Sequence, residues 1–357
     1  MRDSFEIGGQ LIAAGTRRVI DLPVSRLSNH TPVMLPVHVV HGSGPGPALF
    51  VTAAVHGDEI IGVEIIRRLM KTLTPERLDG TLLCVPIVNA FGFISRTRYL
   101  PDQRDLNRSF PGSDHGSLAS LLADLFMREV GMRCNYGIDL HTAALHRTNL
   151  PQIRVAPDEP ELIELAEAFG PPVVLVSKLR EGTLRQCARD VGVKVLLYEG
   201  GEALRFDEVA IRAGTVGILR VMKHLGMLPL TDPARNKVAP AFSHASTWLR
   251  AAEGGILRSG RNVGDHVSEG ETVAEVSDPL GEVSVPVIAM GGAGKLSDFV
   301  DGIVLGEADA VAAGNIFHYF EHSTKKAKEA MAQAGLSVRH IGFYQVNMPR
   351  RPKYRPF

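Results

Sequence analysis

The chain has 357 residues, 45% hydrophobic and 22% charged, and 39 lysines and arginines balance 39 aspartates and glutamates. That composition excludes wholesale disorder, allows a large apolar core, and at this length suggests two domains. A zero balance gives no global pull toward nucleic acid or an anionic membrane, and no run approaches 18 apolar residues, so neither partner is expected. Cys84, Cys134 and Cys187 are scattered without CxxC spacing, which argues against a disulfide framework. With no apolar leader at the N-terminus, the expected location is the cytoplasm.

The first 40 residues (RRVIDLPV, TPVMLPVHVVHG) read as β-rich, and GSGPGP at 42–47 marks a loop. Apolar runs then predict strands at 47–55, 81–88, 136–140, 172–176 and 193–198. Helical spacing predicts helices over 59–73, 117–130, 159–169 and 208–225. This alternation predicts an α/β domain with a mainly parallel sheet, over residues 1–230. A Pro-rich stretch at 228–240 reads as a linker, and short β runs between glycines predict a small β domain whose first part covers 241–285. Its GDHVSEGE resembles the turns of biotinyl- and lipoyl-type domains, but no lysine is placed for a cofactor. The basic, proline-rich end, 341–357, reads as disordered.

The strongest chemical signal is AAVHGDE at 53–59. On a first helical turn His56 and Glu59 would share a face, and an imidazole and a carboxylate together can hold Zn²⁺. A catalytic zinc needs a third protein ligand, for which His141 in GIDLHTAA is the best candidate, with Asp139 placed to orient a ligand from behind. Glu199 in VLLYEGG is the candidate base, and Gly200 and Gly201 would let the backbone turn and leave room for substrate. His56, Asn89, His141 and Glu199 all fall at carboxyl ends of predicted strands, the edge where α/β sheets bind ligands. Arg96, Arg98, Arg104 and Arg108, beside Asn107, suggest a carboxylate-bearing substrate, since guanidinium pairs with carboxylate bidentately. Arg96 and Arg104 fit a solvated loop equally well, and His115, His146 and His318 read as structural or surface residues.

HGDE, TRYxxDxRDLNRSFPG, DLHT and YEGG, in that order over roughly residues 20–285, resemble the succinylglutamate desuccinylase/aspartoacylase family, relatives of the zinc carboxypeptidases. The resemblance implies a mainly parallel mixed sheet of zinc-carboxypeptidase type, flanked by helices and followed by a β domain. It implies Zn²⁺ on His56, Glu59 and His141, substrate binding by Arg98, Asn107 and Arg108, and Glu199 as general base. The implied activity is zinc-dependent hydrolysis of the amide bond of an N-acyl amino acid or a similar small carboxylate-bearing amide. A zinc carboxypeptidase acting on peptides is the alternative among hydrolases. An inactive metal-binding regulator is disfavoured by the intact set of ligands, base and arginines. A homo-oligomer is left open.

Residues 286–340 change style and resemble the last strand–helix units of the cyclase subunit of imidazole glycerol phosphate synthase, a (βα)8 barrel. Gly291-Gly292 and Ala313-Gly314 resemble its phosphate-binding turns, which opens a phosphate-binding reading for this βα tail. Nothing here matches the earlier strands that carry the cyclase aspartates, so cyclase activity is not implied. The tail, with a helix expected from Lys325 to Leu336, reads as a graft on a hydrolase body, while DGIVLG followed by VAAGNIFHYF also passes for the closing strands of the family's β domain.

Overall fold

A computed structural model of the chain describes residues 2–229, 239–251, 254–289 and 324–338. The chain divides into two compact units, 1–246 and 247–357. In the first, β1 (Phe5–Ile7) and β2 (Gln10–Ile12) form a hairpin, followed by the long strands β3 (Thr16–Arg26) and β4 (Pro32–His41). Then come β5 (Gly44–Ala53), α1 (Ile61–Thr72), β6 (Asp79–Val85), α2 (Ala90–Ser95), α3 (Leu118–Glu129), β7 (Tyr136–Ala143) and β8 (Asn149–Val155). The unit continues with α4 (Pro160–Phe169), β9 (Val173–Val176), α5 (Leu184–Asp190), β10 (Lys194–Glu202), α6 (Glu208–His224) and β11 (Ala241–Ser243).

These strands make a nine-stranded mixed sheet in the order β11-β9-β8-β10-β7-β5-β6-β4-β3. Its centre, β10-β7-β5-β6, is parallel, while β8 runs antiparallel to β10 and β4 antiparallel to β6 and β3. Central strands buried on both faces read as continuous apolar runs, which is why PALFVTA and TLLCV were legible. Alternation along them feeds two cores. Leu49, Val51, Ile138, Leu140, Leu196 and Tyr198 point to the face covered by α1, α4 and α6. Phe50, Leu83, Val85 and Val195 point to the face covered by α3 and α5. Helix α1 shows the packing logic: Ile61, Ile65, Ile66 and Leu69 form its buried stripe, and burying each such side chain contributes roughly 1.5–3 kcal/mol.

Several elements depart from the sequence expectation. Strand β5 begins at Gly44, inside the stretch read as a loop, with an irregular register up to Ala48. Strand β8 and helix α5 lie where no element was expected. Strand β11, at the start of the segment assigned to the small β domain, pairs parallel with β9 at the edge of the large sheet. In the second unit, β12 (Ile256–Ser259), β13 (Thr272–Ser277) and β14 (Ser284–Ile288) form a three-stranded antiparallel sheet, and α7 spans Thr324–Gln333. The turns at 291–292 and 313–314 and the segment 341–357 lie outside the described residues.

Candidate active site

Strand β5 ends at Ala53, and Ala54 turns the chain in the left-handed region at φ 49°. The amides of Val88 and Asn89 donate to the carbonyls of Ala53 and Ala54, tying this loop to the end of β6. His56 and Glu59 do not lie on the helix, because α1 starts only at Ile61. They close a β-turn instead, with the Glu59 amide donating to the His56 carbonyl at 3.1 Å, and the turn gives the same one-sided placement that a helical turn would. Gly57 permits this turn to sit against α2, since a Cβ there would fall 1.9 Å from the carbonyl carbon of Gly92.

The turn delivers both side chains to His141 on β7. Glu59 lies between the rings, with Oε1 2.7 Å from His56 Nδ1 and Oε2 2.8 Å from His141 Nδ1. The two Nδ1 atoms are 3.2 Å apart, and all three residues are at most 4% exposed. The Thr142 amide also donates to Glu59 Oε2. On their outer sides the rings meet carboxylates: His141 Nε2 is 2.8 Å from Asp139 Oδ2, and His56 Nε2 is 3.1 Å from Asp105 Oδ1. Burial opposes charge on Glu59, but the two imidazoles outweigh it and hold the carboxyl well below the usual range. Burial also opposes protonation of the imidazoles, yet Glu59 with Asp105 raises His56, and Asp139 with Glu59 raises His141.

This donor set fits a metal ion. One ligand atom from each of His56, Glu59 and His141 can be chosen so that all lie within 4.8 Å of one another. Two imidazole nitrogens and a carboxylate oxygen are a borderline-soft set of the kind that holds zinc while leaving a position for water. The outer carboxylates are the partners that fix a ligating imidazole's tautomer.

The loop from β6 to α3 supplies the neighbouring guanidinium. Asn89 caps α2 by accepting from the Gly92 amide at 2.8 Å, so this strand-end residue works on the backbone. Arg98, about a third exposed, reaches Glu59 Oε1 at 3.3 Å and Asp105 Oδ2 at 2.9 Å. Asp105 therefore bridges Arg98 and His56. Burial alone would raise its carboxyl, but His56 and Arg98 together depress it. Asn107 is buried, and its Oδ1 accepts from the Leu184 amide, which anchors the start of α5. Arg108 is exposed and donates to the Asn107 carbonyl. Arg96 sits at the left-handed end of α2, and Arg104 pairs loosely with Asp102 at 3.7 Å; both are exposed.

Glu199 lies on β10 directly opposite His141 in the parallel register, on the same sheet face as Asp139. Asn149 Nδ2 donates to its Oε2 at 2.5 Å, and Arg154 Nη2 lies 3.4 Å from its Oε1. Burial pushes the Glu199 carboxyl above the usual range, with Arg154 and His141 pulling against that shift. Arg185, from the first turn of α5, is lowered to about 10 by burial and by Arg154. Arg154 Nε and Arg185 Nη1 are buried with no hydrogen-bond partner. The glycines after Glu199 serve packing: a Cβ on Gly200 would lie 2.6 Å from the Tyr198 hydroxyl, and one on Gly201 2.5 Å from Ile61 Cδ1. The room they leave is filled by the α1 and α6 side of the core, not by a substrate.

Four residues of this site escaped the sequence reading. Asp105 lay inside a motif already singled out. Asn149, Arg154 and Arg185 belong to β8 and α5, which were missed; the alternation of Ile153, Arg154 and Val155 was the available strand signal.

Residues 45–225, half of the chain, match the sequence model of the succinylglutamate desuccinylase/aspartoacylase catalytic domain. The chain belongs to this family. The N-alpha-acetyl-L-2,4-diaminobutyric acid deacetylase of Halomonas elongata is 28% identical over 267 residues, 71% of this chain and 77% of that protein. A succinylglutamate desuccinylase/aspartoacylase from Rhodobacter sphaeroides has a similar crystal structure, with a TM-score of 0.67 at 29% identity over 78% of this chain and 90% of that one. The product-bound ectoine utilization protein EutE (DoeB) from Ruegeria pomeroyi shares the fold, with a TM-score of 0.68 at 23% identity over 78% and 88% of the two chains. No helix among the described residues is long and apolar enough to cross a membrane.

Proposed function

We propose that this family member is a zinc-dependent amidohydrolase that cleaves the amide bond of an N-acyl amino acid or a similar small amide carrying a carboxylate. The observation that carries the reading is the convergence of His56, Glu59 and His141 with Glu199 in register beside them. The deacetylase relative from Halomonas elongata supports the substrate class.

His56 and His141 through Nδ1, together with Glu59, would hold the zinc. When bound, the ion would supply Lewis acidity toward the amide carbonyl and acidify water. Glu199 takes the proton of the attacking water as the water oxygen bonds to the carbonyl carbon, then delivers it to the leaving nitrogen as the C–N bond breaks. Its buried setting favours this exchange, because it brings the carboxylate's proton affinity closer to that of the groups it serves. Arg98 now spends Nη1 on Glu59 Oε1. The same guanidinium would stabilise negative charge developing on a substrate oxygen beside the three residues that would hold the ion. Arg108, exposed on the same loop, is the residue we assign to the substrate carboxylate, because guanidinium pairs with carboxylate bidentately. The three cysteines are buried and free, which fits a protein working in a reducing compartment, and we place it in the cytoplasm.

Zinc content of wild type and His141→Ala, measured side by side, tests the centre. About one zinc per chain in wild type and a sharp loss in the variant are expected. A well-folded wild type that takes up no zinc would overturn the reading. A panel of N-acyl amino acids and peptides, assayed on the zinc-loaded chain, separates an acyl-amino-acid hydrolase from a carboxypeptidase.

A further inference from the structure

We propose that Arg154, seconded by Asn149, is the positioning residue that aims the Glu199 carboxylate at the reaction centre; this rests on the hydrolase reading above. Strand β8 runs antiparallel to β10 with Leu197 opposite Arg154, Glu199 opposite Gln152 and Gly201 opposite Asn149. Glu199 is thus bracketed by two diagonal neighbours, one on each side, both within reach of a long side chain. Each takes a different oxygen: Asn149 donates to Oε2 and Arg154 faces Oε1.

The bracket is needed because the ladder weakens at this point. Register on both sides of β10 shifts immediately after Glu199, between Glu199 and Glu202 against β7 and between Glu199 and Gly201 against β8. A bulge of this kind re-aims a side chain but leaves its direction less constrained by the backbone. The hydrogen bond from Asn149 and the ion pair with Arg154, both from β8, restore that constraint at the carboxylate itself. Arg154 lies on the sheet face shared by Glu199, since its neighbours Ile153 and Val155 point into the opposite core. Its Nε is buried without a hydrogen-bond partner, and its ion pair is with Glu199.

The test uses the full-length, zinc-loaded chain with an N-acyl amino acid that the wild type hydrolyses. Arg154→Met should lower kcat by about 100-fold while KM stays within about twofold and zinc content is unchanged, as expected when a reacting group is misplaced by about an ångström. Arg154→Lys should recover part of the loss, and Asn149→Ala should lower kcat by a smaller factor, which keeps the idea testable if Arg154→Met does not fold. Unchanged kcat in the folded variants would overturn the proposal, as would a rise in KM at constant kcat, which would make Arg154 a substrate ligand. If the wild type hydrolyses nothing, the hydrolase reading fails separately. The clamp is then judged by carbodiimide coupling of an amine to Glu199, followed by peptide mapping. Faster labelling in Arg154→Met than in wild type is expected, and equal labelling would overturn the clamp.

Discussion

Two clusters side by side on the same sheet face, one around His141 and one around Glu199, are built on opposite terms. In the corner of His56, Glu59 and His141, the two rings and the Glu59 carboxylate lie within 2.7–3.2 Å of one another and of the carboxylates that back both rings, and only the second oxygen of Asp139 is buried without a partner. In the corner of Glu199, Arg154 faces the carboxylate, Arg185 lies in the field of Glu159, Asp139 and Glu199, and each guanidinium keeps a buried nitrogen without a hydrogen-bond partner. The first corner is a closed set of donors that could hold a cation. The second is a cationic wall around an acid whose proton affinity is raised by burial. The difference teaches that His56, Glu59 and His141 hold one another in place, while Glu199 meets its polar partners on a separate strand, β8.

The largest effect should come from Glu199→Gln. Losing a positioned acid–base group is expected to lower turnover by about 10³-fold with zinc content unchanged, read from single-turnover kinetics and elemental analysis. Equal loss of zinc would erase the distinction between the corners. Asp139→Asn acts on the other corner: the backing of His141 is weakened, and zinc affinity should fall by about 10- to 100-fold in competition with a chelator.

A smaller effect concerns the sheet beneath both corners. Burial pushes the Cys84 and Cys134 thiols well above their ordinary value of 9.0. Above that pH the unfolded chain releases thiol protons that the folded chain keeps, so these groups make stability fall as pH rises past about 9. Denaturant titrations at stepped pH should show this slope, and Cys84→Ala with Cys134→Ala should reduce it. Native protein should also resist a thiol reagent at neutral pH. Smallest of all, Arg104→Ala, at the exposed rim, should change stability by less than about 0.5 kcal/mol and kcat/KM by less than about twofold. A large loss there would extend the substrate site outward.

The three residues proposed as metal ligands could be picked out because each sits in a short local pattern, and the structure brings them together. HxxE closes one turn, and DLH places Asp139 and His141 on one side of a strand by its period of two. The helix α1 stripe and the buried run of β5 were legible for the same reason, since periodicity is a property of consecutive residues. Arg98 was singled out by its chemistry and is brought to the triad, whereas Arg96 and Arg104, of the same type, stay at the rim. That sorting depended on Asp105, which holds both His56 and Arg98.

By itself, then, the sequence determined the alternation of strands and helices, the two-faced burial of the central sheet, and the HxxE turn with its partner histidine. All are set by neighbours in the chain. Only the tertiary structure decided that β8 inserts antiparallel beside β10, bringing Asn149 and Arg154 to Glu199, and that β11 returns to extend the large sheet beside β9. Strand order and register arise from pairing between segments tens of residues apart. Backbone hydrogen bonds are nearly the same in every register, so the choice rests on which side chains each register buries.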